Sequence, residues 1–76
     1  MVVAIYRNNS KASPEEIRVH RYASNGELHI ESITNSYAHE IGTAYHSREE
    51  VEEFLNQRDR VHGYRLIIEI YNSARG

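Results

Sequence analysis

Alternation of apolar and polar side chains dominates this chain. Ile17 and Val19 alternate with Arg18, His20 and Tyr22 over residues 16–23, and Leu28 and Ile30 alternate with His29 and Glu31 over residues 27–34. A period of two sends successive side chains to opposite faces of a strand, so both segments read as half-buried strands. Asn25-Gly26 lies between them, and Asn-Gly between alternating segments predicts a two-residue type I′ hairpin turn, which requires positive φ at both positions. β-Branched and aromatic content marks residues 2–7 as a further strand. Residues 37–46 read as another, following a turn at Asn35-Ser36, and residues 64–71 as the last and most apolar one. Gly42 signals a bulge or a close backbone approach, and the polar residues 8–15, which include the single proline, form a loop.

One segment changes period. Val51, Phe54 and Leu55 recur at spacings of three and four, with Arg58 extending the stripe, which is the pattern of an amphipathic helix. Ser47 with Glu50 forms a capping box at its start, and Glu49, Glu50, Glu52 and Glu53 load the positive end of the helix dipole. His62-Gly63 ends the excursion. The order β-β-β-β-α-β predicts an α+β fold: an antiparallel sheet of four to five strands with one helix packed on one face and room for the last strand beside the first. The chain reads as one domain over residues 1–76, with residues 72–76 as a frayed tail.

If Asn25 and Gly26 are the turn residues, Tyr22 lies opposite His29, His20 opposite Glu31 and Arg18 opposite Ile33, all on one face. Ile17, Val19, Leu28 and Ile30 point the other way, toward the helix, with Arg21 and Ser32 as polar exceptions. Extending the parity puts Val3, Ile5, Leu66, Ile68 and Ile70 in the core. Tyr6, Arg65, Ile67, Glu69 and Tyr71 then join the open face. That face is rich in tyrosine, histidine and arginine, the first and last of which are enriched at binding hot spots. Partner contacts are therefore expected at Tyr6, Arg18, His20, Tyr22, His29, Glu31, Arg65 and Tyr71. A secondary acidic patch is expected at Glu49, Glu52 and Glu53, as a landing site for a basic partner.

Composition narrows the function. At 76 residues there is room for one core only. Cysteine is absent, which excludes disulfides, thiolate zinc sites and thiol nucleophiles. The apolar run at residues 2–6 is too short for a signal-peptide core or a membrane span, so the expected location is cytoplasmic with no membrane partner. A net charge of −2 lacks the basic excess of electrostatically driven nucleic-acid binding, which ranks direct nucleic-acid contact below protein contact.

The five histidines show no metal-ligand spacing, and no metal or cofactor is expected. His20 beside Glu31 is the arrangement of a base with its orienting carboxylate. An uncovered sheet supplies neither a pocket nor an oxyanion donor, so no catalytic residue is assigned and the chain is read as a non-enzyme.

In build, the hairpin through Asn25-Gly26, a further strand and then a capped acidic helix with Phe54 resemble small phage-encoded anti-CRISPR proteins of α+β type. The resemblance covers residues 16–56, about half of the chain. It implies a non-enzymatic inhibitor that blocks a host nucleoprotein complex sterically, with Tyr22, Glu31 and the acidic helix face as contacts. Two other readings stand beside a protein-binding inhibitor or adaptor. One is an RNA or single-strand binder that stacks bases on Tyr6, Tyr22 and Tyr71 with Arg18 and Arg65 on phosphates. The other is a self-associating domain, such as a homodimer.

Overall fold

A computed structural model describes residues 1–10, 12 and 14–71; the expected tail at 72–76 lies outside the described residues. Five strands and one helix follow the expected order: β1 (Val2–Asn8), β2 (Glu16–Arg21), β3 (Leu28–Thr34), β4 (Tyr37–Tyr45), α1 (Arg48–Arg58) and β5 (Tyr64–Glu69). The sheet runs β4-β3-β2-β1-β5, antiparallel throughout, with β5 beside β1. Helix α1 covers one face. Its buried Val51 and Leu55 join Val3, Ala4, Ile17, Val19, Leu28 and Ile30 in the core, while Phe54 packs at the margin with its ring 5.6 Å from that of Tyr45.

The helix start follows the expected chemistry with one difference. Ser47 Oγ accepts from the Glu50 amide at 3.2 Å, but the Glu50 carboxylate accepts from the amide of His46 at 2.7 Å, one residue before the cap. At the other end Asp59 accepts from the amides of Val61 and His62. The backbone then leaves through Gly63 at φ 73°.

The turns exchange roles relative to the expectation. Tyr22 and Glu27 close the β2–β3 hairpin around a four-residue loop, in which the Gly26 amide donates to the Tyr22 carbonyl at 2.7 Å. Asn25 uses its side chain to accept from the Glu27 amide at 2.9 Å, and only Gly26 takes a positive φ, of 74°. The two-residue turn with both φ values positive is Asn35-Ser36, at 51° and 65°. As a result β2 and β3 pair two residues away from the expected register, with His20 facing His29 and Arg18 facing Glu31. A two-residue slip preserves parity, so every β2 and β3 side chain keeps its expected face.

Bulges correct the parity of the outer strands. Val2 faces His20 but Ala4 faces Val19, so Val3 is an extra residue in β1. From there on the faces swap: Ala4 and Tyr6 enter the core, and Ile5 turns to the open face. Ile67 is the matching extra residue in β5, where Tyr6 faces Leu66 and Ile5 faces Ile68. Ile68, expected in the core, is 47% exposed. Strand β4 shifts register twice. Gly42 sits at the first shift, where a Cβ would lie 2.7 Å from the Tyr45 ring, so both readings of that glycine hold.

Ser36 is exposed and held in the left-handed region at φ 65°. Replacing Ser36 with Gly is expected to raise the unfolding free energy by roughly 0.5–1 kcal/mol, and Gly26→Ala to lower it by a similar amount. Urea midpoints at constant m-value measure both.

Candidate functional site

The face opposite α1 has no covering layer among the described residues. Read across the strands from β4, one row is Ala38, Ile33, Glu16, Arg7 and Arg65; the next is Glu40, Glu31, Arg18, Ile5 and Ile68; the third places His29 beside His20 and Val2. Six of the eight residues expected to contact a partner lie on this face: Arg18, His20, Tyr22, His29, Glu31 and Arg65. Tyr22 stacks on His29 with centroids 4.0 Å apart and planes 14° from parallel. The His29 ring also donates from Nδ1 to Glu40 at 3.0 Å, and His20 donates from Nε2 to Glu31 at 3.1 Å. Both His20–Glu31 and Tyr22–His29 thus touch as expected, but diagonally rather than as directly opposed pairs. Arg18 donates to Glu16 at 2.8 Å, and Arg7 lies 3.7 Å from the same carboxylate.

Tyr6 and Tyr71 are not on this face. They are 3% and 4% exposed on the helix side, and their hydroxyls share a hydrogen bond of 2.8 Å. Tyr6 also donates to Glu52 at 2.8 Å, Arg48 donates to the same oxygen at 2.9 Å, and Arg21 donates to the Tyr71 carbonyl at 3.0 Å. The extra residue Val3 causes the change for Tyr6. Tyr71 lies beyond the end of β5, where strand parity no longer applies. Burial raises the Tyr6 hydroxyl well above its ordinary range, helped by its bonds to Tyr71 and Glu52, and burial pushes Tyr71 up to about 12. The expected acidic patch divides accordingly. Glu52 is engaged with Tyr6 and Arg48, whereas Glu49 and Glu53 are exposed on the outer helix face beside Asn56, Gln57 and Arg60.

A second polar centre was not expected. Glu15, in the loop before β2, is 9% exposed and accepts from Ser32 Oγ, from Tyr64 at 2.6 Å and from Arg58 at 2.9 Å. It forms the floor of a cleft of about 510 Å³ that His39, His62 and Asp59 also line. Burial alone would push the Glu15 carboxyl up, but the bonds from Ser32, Tyr64 and Arg58 together outweigh it and hold the group below its ordinary range. Ser32 carried the one signal for this centre, as a polar residue on the core parity of β3. With all three donors in place, Glu15 acts as a clasp joining the β1–β2 loop, β3, α1 and β5. No group of three or more His, Asp or Glu among the described residues is arranged to hold a metal ion, and no helix is long and apolar enough to cross a membrane.

Among the described residues the geometry defines a class: a small α+β domain with a single helix on a five-stranded antiparallel sheet, one face of which is uncovered. In comparison with known proteins, the chain matches no family model, no curated protein and no solved structure.

Glu15→Gln is expected to lower the unfolding free energy at neutral pH by roughly 2–3 kcal/mol, because it removes the charge that Arg58 faces and weakens three buried bonds. A depressed folded-state pKa stabilises the native form above the ordinary glutamate value and loses that contribution as pH falls through the folded value. The gap between variant and wild type is therefore full at pH 7 and closes well below about pH 4. Urea unfolding across that range reads it directly.

Proposed function

We propose that this chain is a non-catalytic protein-binding module, an inhibitor or adaptor, that docks through its uncovered sheet face. The observation that carries the reading is the composition of that face. A stacked Tyr22–His29 pair, with Tyr22 47% exposed, shares one face with His20, Arg18 and exposed Ile68 on a sheet with no layer over it among the described residues. Large, rigid amphipathic groups of this kind supply binding area at low entropic cost. The bulges in β4 and β5 also favour the face over the edges, since bulges blunt an edge against strand addition.

Single-strand nucleic-acid binding fits the geometry less well. Of the three tyrosines that reading needs as stacking platforms, Tyr6 and Tyr71 are buried. The likeness in build to anti-CRISPR proteins makes a host nucleoprotein complex the first partner to assay.

The test is quantitative affinity capture by wild type, Tyr22→Ala and Arg18→Ala, with Tyr37→Ala as an off-face control that is 69% exposed in the wild type. An aromatic that anchors an interface contributes about 2 kcal/mol or more, so Tyr22→Ala is expected to weaken capture by roughly thirtyfold while Tyr37→Ala leaves it unchanged. Equal capture by all three variants would reject this face. Tyr71→Ala belongs to a different experiment, because it empties a core position and is expected to lower stability rather than binding alone.

A further inference from the structure

Two arginines stand directly opposed on the open face, Arg7 in β1 and Arg65 in β5. Directly opposed residues of neighbouring antiparallel strands have Cβ atoms about 5 Å apart, so two like charges there repel and destabilise the isolated sheet. The neighbouring groups do not relieve this. Glu16, which faces Arg7 from β2, accepts from Arg18 Nε at 2.8 Å and lies 3.7 Å from the Arg7 guanidinium, too far for a hydrogen bond. Arg65 is exposed and forms neither an ion pair nor a side-chain hydrogen bond among the described residues. Three guanidiniums therefore share one carboxylate, which leaves an excess of two positive charges and the donors of Arg7 and Arg65 unused.

We propose that Arg7 and Arg65 receive a phosphomonoester dianion carried by a side chain of the protein partner. The inference rests on the reading of the open face as a protein-binding surface and names what the partner brings to it. A guanidinium offers a planar fork of N–H donors that matches phosphoryl oxygens, and two forks at one register position can hold a single phosphoryl group whose three oxygens accept from both. Its charge of about −1.5 to −2 near neutral pH matches the excess on the cluster. Two carboxylates brought to the same spot would repel each other, and one alone answers only half of that excess. A nucleic-acid backbone matches less well, because it spreads single charges along a chain. Toward β4 the face turns acidic, where Arg18 faces Glu31 and Glu31 faces Glu40, and with Tyr6 and Tyr71 buried it offers no stacking platform beside the arginines. Both arginines stand on paired strands, so the fork is assembled before the anion arrives, and seating the anion offsets a repulsion already present in the free chain.

A peptide with one phosphoserine among neutral residues, titrated to about 20 mM into the isotopically labelled chain at about pH 7.5 and fixed ionic strength, tests the proposal by NMR. The comparison probes are the same peptide with Ser or Glu at that position, inorganic phosphate, and an oligonucleotide without a terminal phosphate. The expected result is that the Nε–H signals of Arg7 and Arg65 move together with the phosphopeptide and that the Glu peptide binds at least about threefold more weakly. Arg7→Gln and Arg65→Gln are each expected to weaken binding at least about tenfold, while Arg60→Gln, an exposed arginine past the end of α1, leaves it unchanged. Both variants on the face remove a like-charge opposition, so stability is not expected to fall, and thermal unfolding checks this. No shift at either arginine, a Glu peptide bound as well as the phosphopeptide, or binding that survives Arg65→Gln overturns the proposal. Inorganic phosphate bound as tightly as the phosphopeptide overturns the assignment to a protein side chain, and an oligonucleotide bound more tightly overturns it in favour of nucleic acid. Partner capture that depends on Tyr22 but is indifferent to Arg65→Gln and to phosphatase treatment leaves the docking face standing and removes only the phosphoryl site.

Discussion

Strand β1 lies at the centre of the constraint network, paired with β2 on one side and β5 on the other, and the extra residue Val3 decides what each of its side chains does. Without that residue, strict alternation would send Tyr6 to solvent and Ile5 to the core. With it, Tyr6 enters beneath α1, where its hydroxyl meets both Tyr71 and Glu52. The bulge in β5 is a second irregularity, with Ile67 as the extra residue opposite the step from Ile5 to Tyr6. Ile5 and Ile68 then face each other across the open side, and the aliphatic patch there is the other half of the exchange that placed two tyrosines inside.

The helix side is held at its margins by polar contacts as well as by apolar packing. At one margin Arg48, Glu52, Tyr6 and Tyr71 join α1, β1 and the residue after β5; at the other Glu15 gathers donors from β3, α1 and β5. A sheet contacted by one short helix buries little apolar area, and domains of this size have little stability in reserve. Buried hydrogen bonds to a charged carboxylate contribute more than neutral ones, and they connect elements far apart in the chain. The cost is pH sensitivity on the acid side, which follows from Glu15 being held ionised.

Local patterns were legible in the amino-acid sequence, and long-range adjustments were not. Strands β2 and β3 were assigned to the right faces although the turn between them was misjudged, because a four-residue loop in place of two residues moves the pairing by two and leaves parity intact. The capped helix was legible for the same reason: Ser47, Glu50, Val51 and Leu55 act over single turns. The bulges at Val3 and Ile67 carry no local signature, since β-branched residues look alike in regular and irregular strands. Tyr6 falls on the other face on that account, and Tyr71 because it lies past the end of β5. Glu15 was hidden in a polar loop, although Ser32 on the core parity of β3 required a buried partner. Arg21, the other polar exception, has its answer in the Tyr71 carbonyl.

The sorting of charge on the uncovered face is what the isolated fold does not explain. Arg7 and Arg65, like Glu31 and Glu40, oppose each other in neighbouring strands, and exchanging one residue of either pair would turn repulsion into attraction without touching the core. Sequences that fold well agree with themselves locally, and where they do not, the disagreement tends to fall on surfaces with another role. Among the described residues, the imidazoles of His20 and His29 are the only side chains in ion-pair reach of the two opposed carboxylates. A field divided in this way favours a partner carrying the reverse division over one whose charge is uniform, for which the attraction of one side is offset by the repulsion of the other.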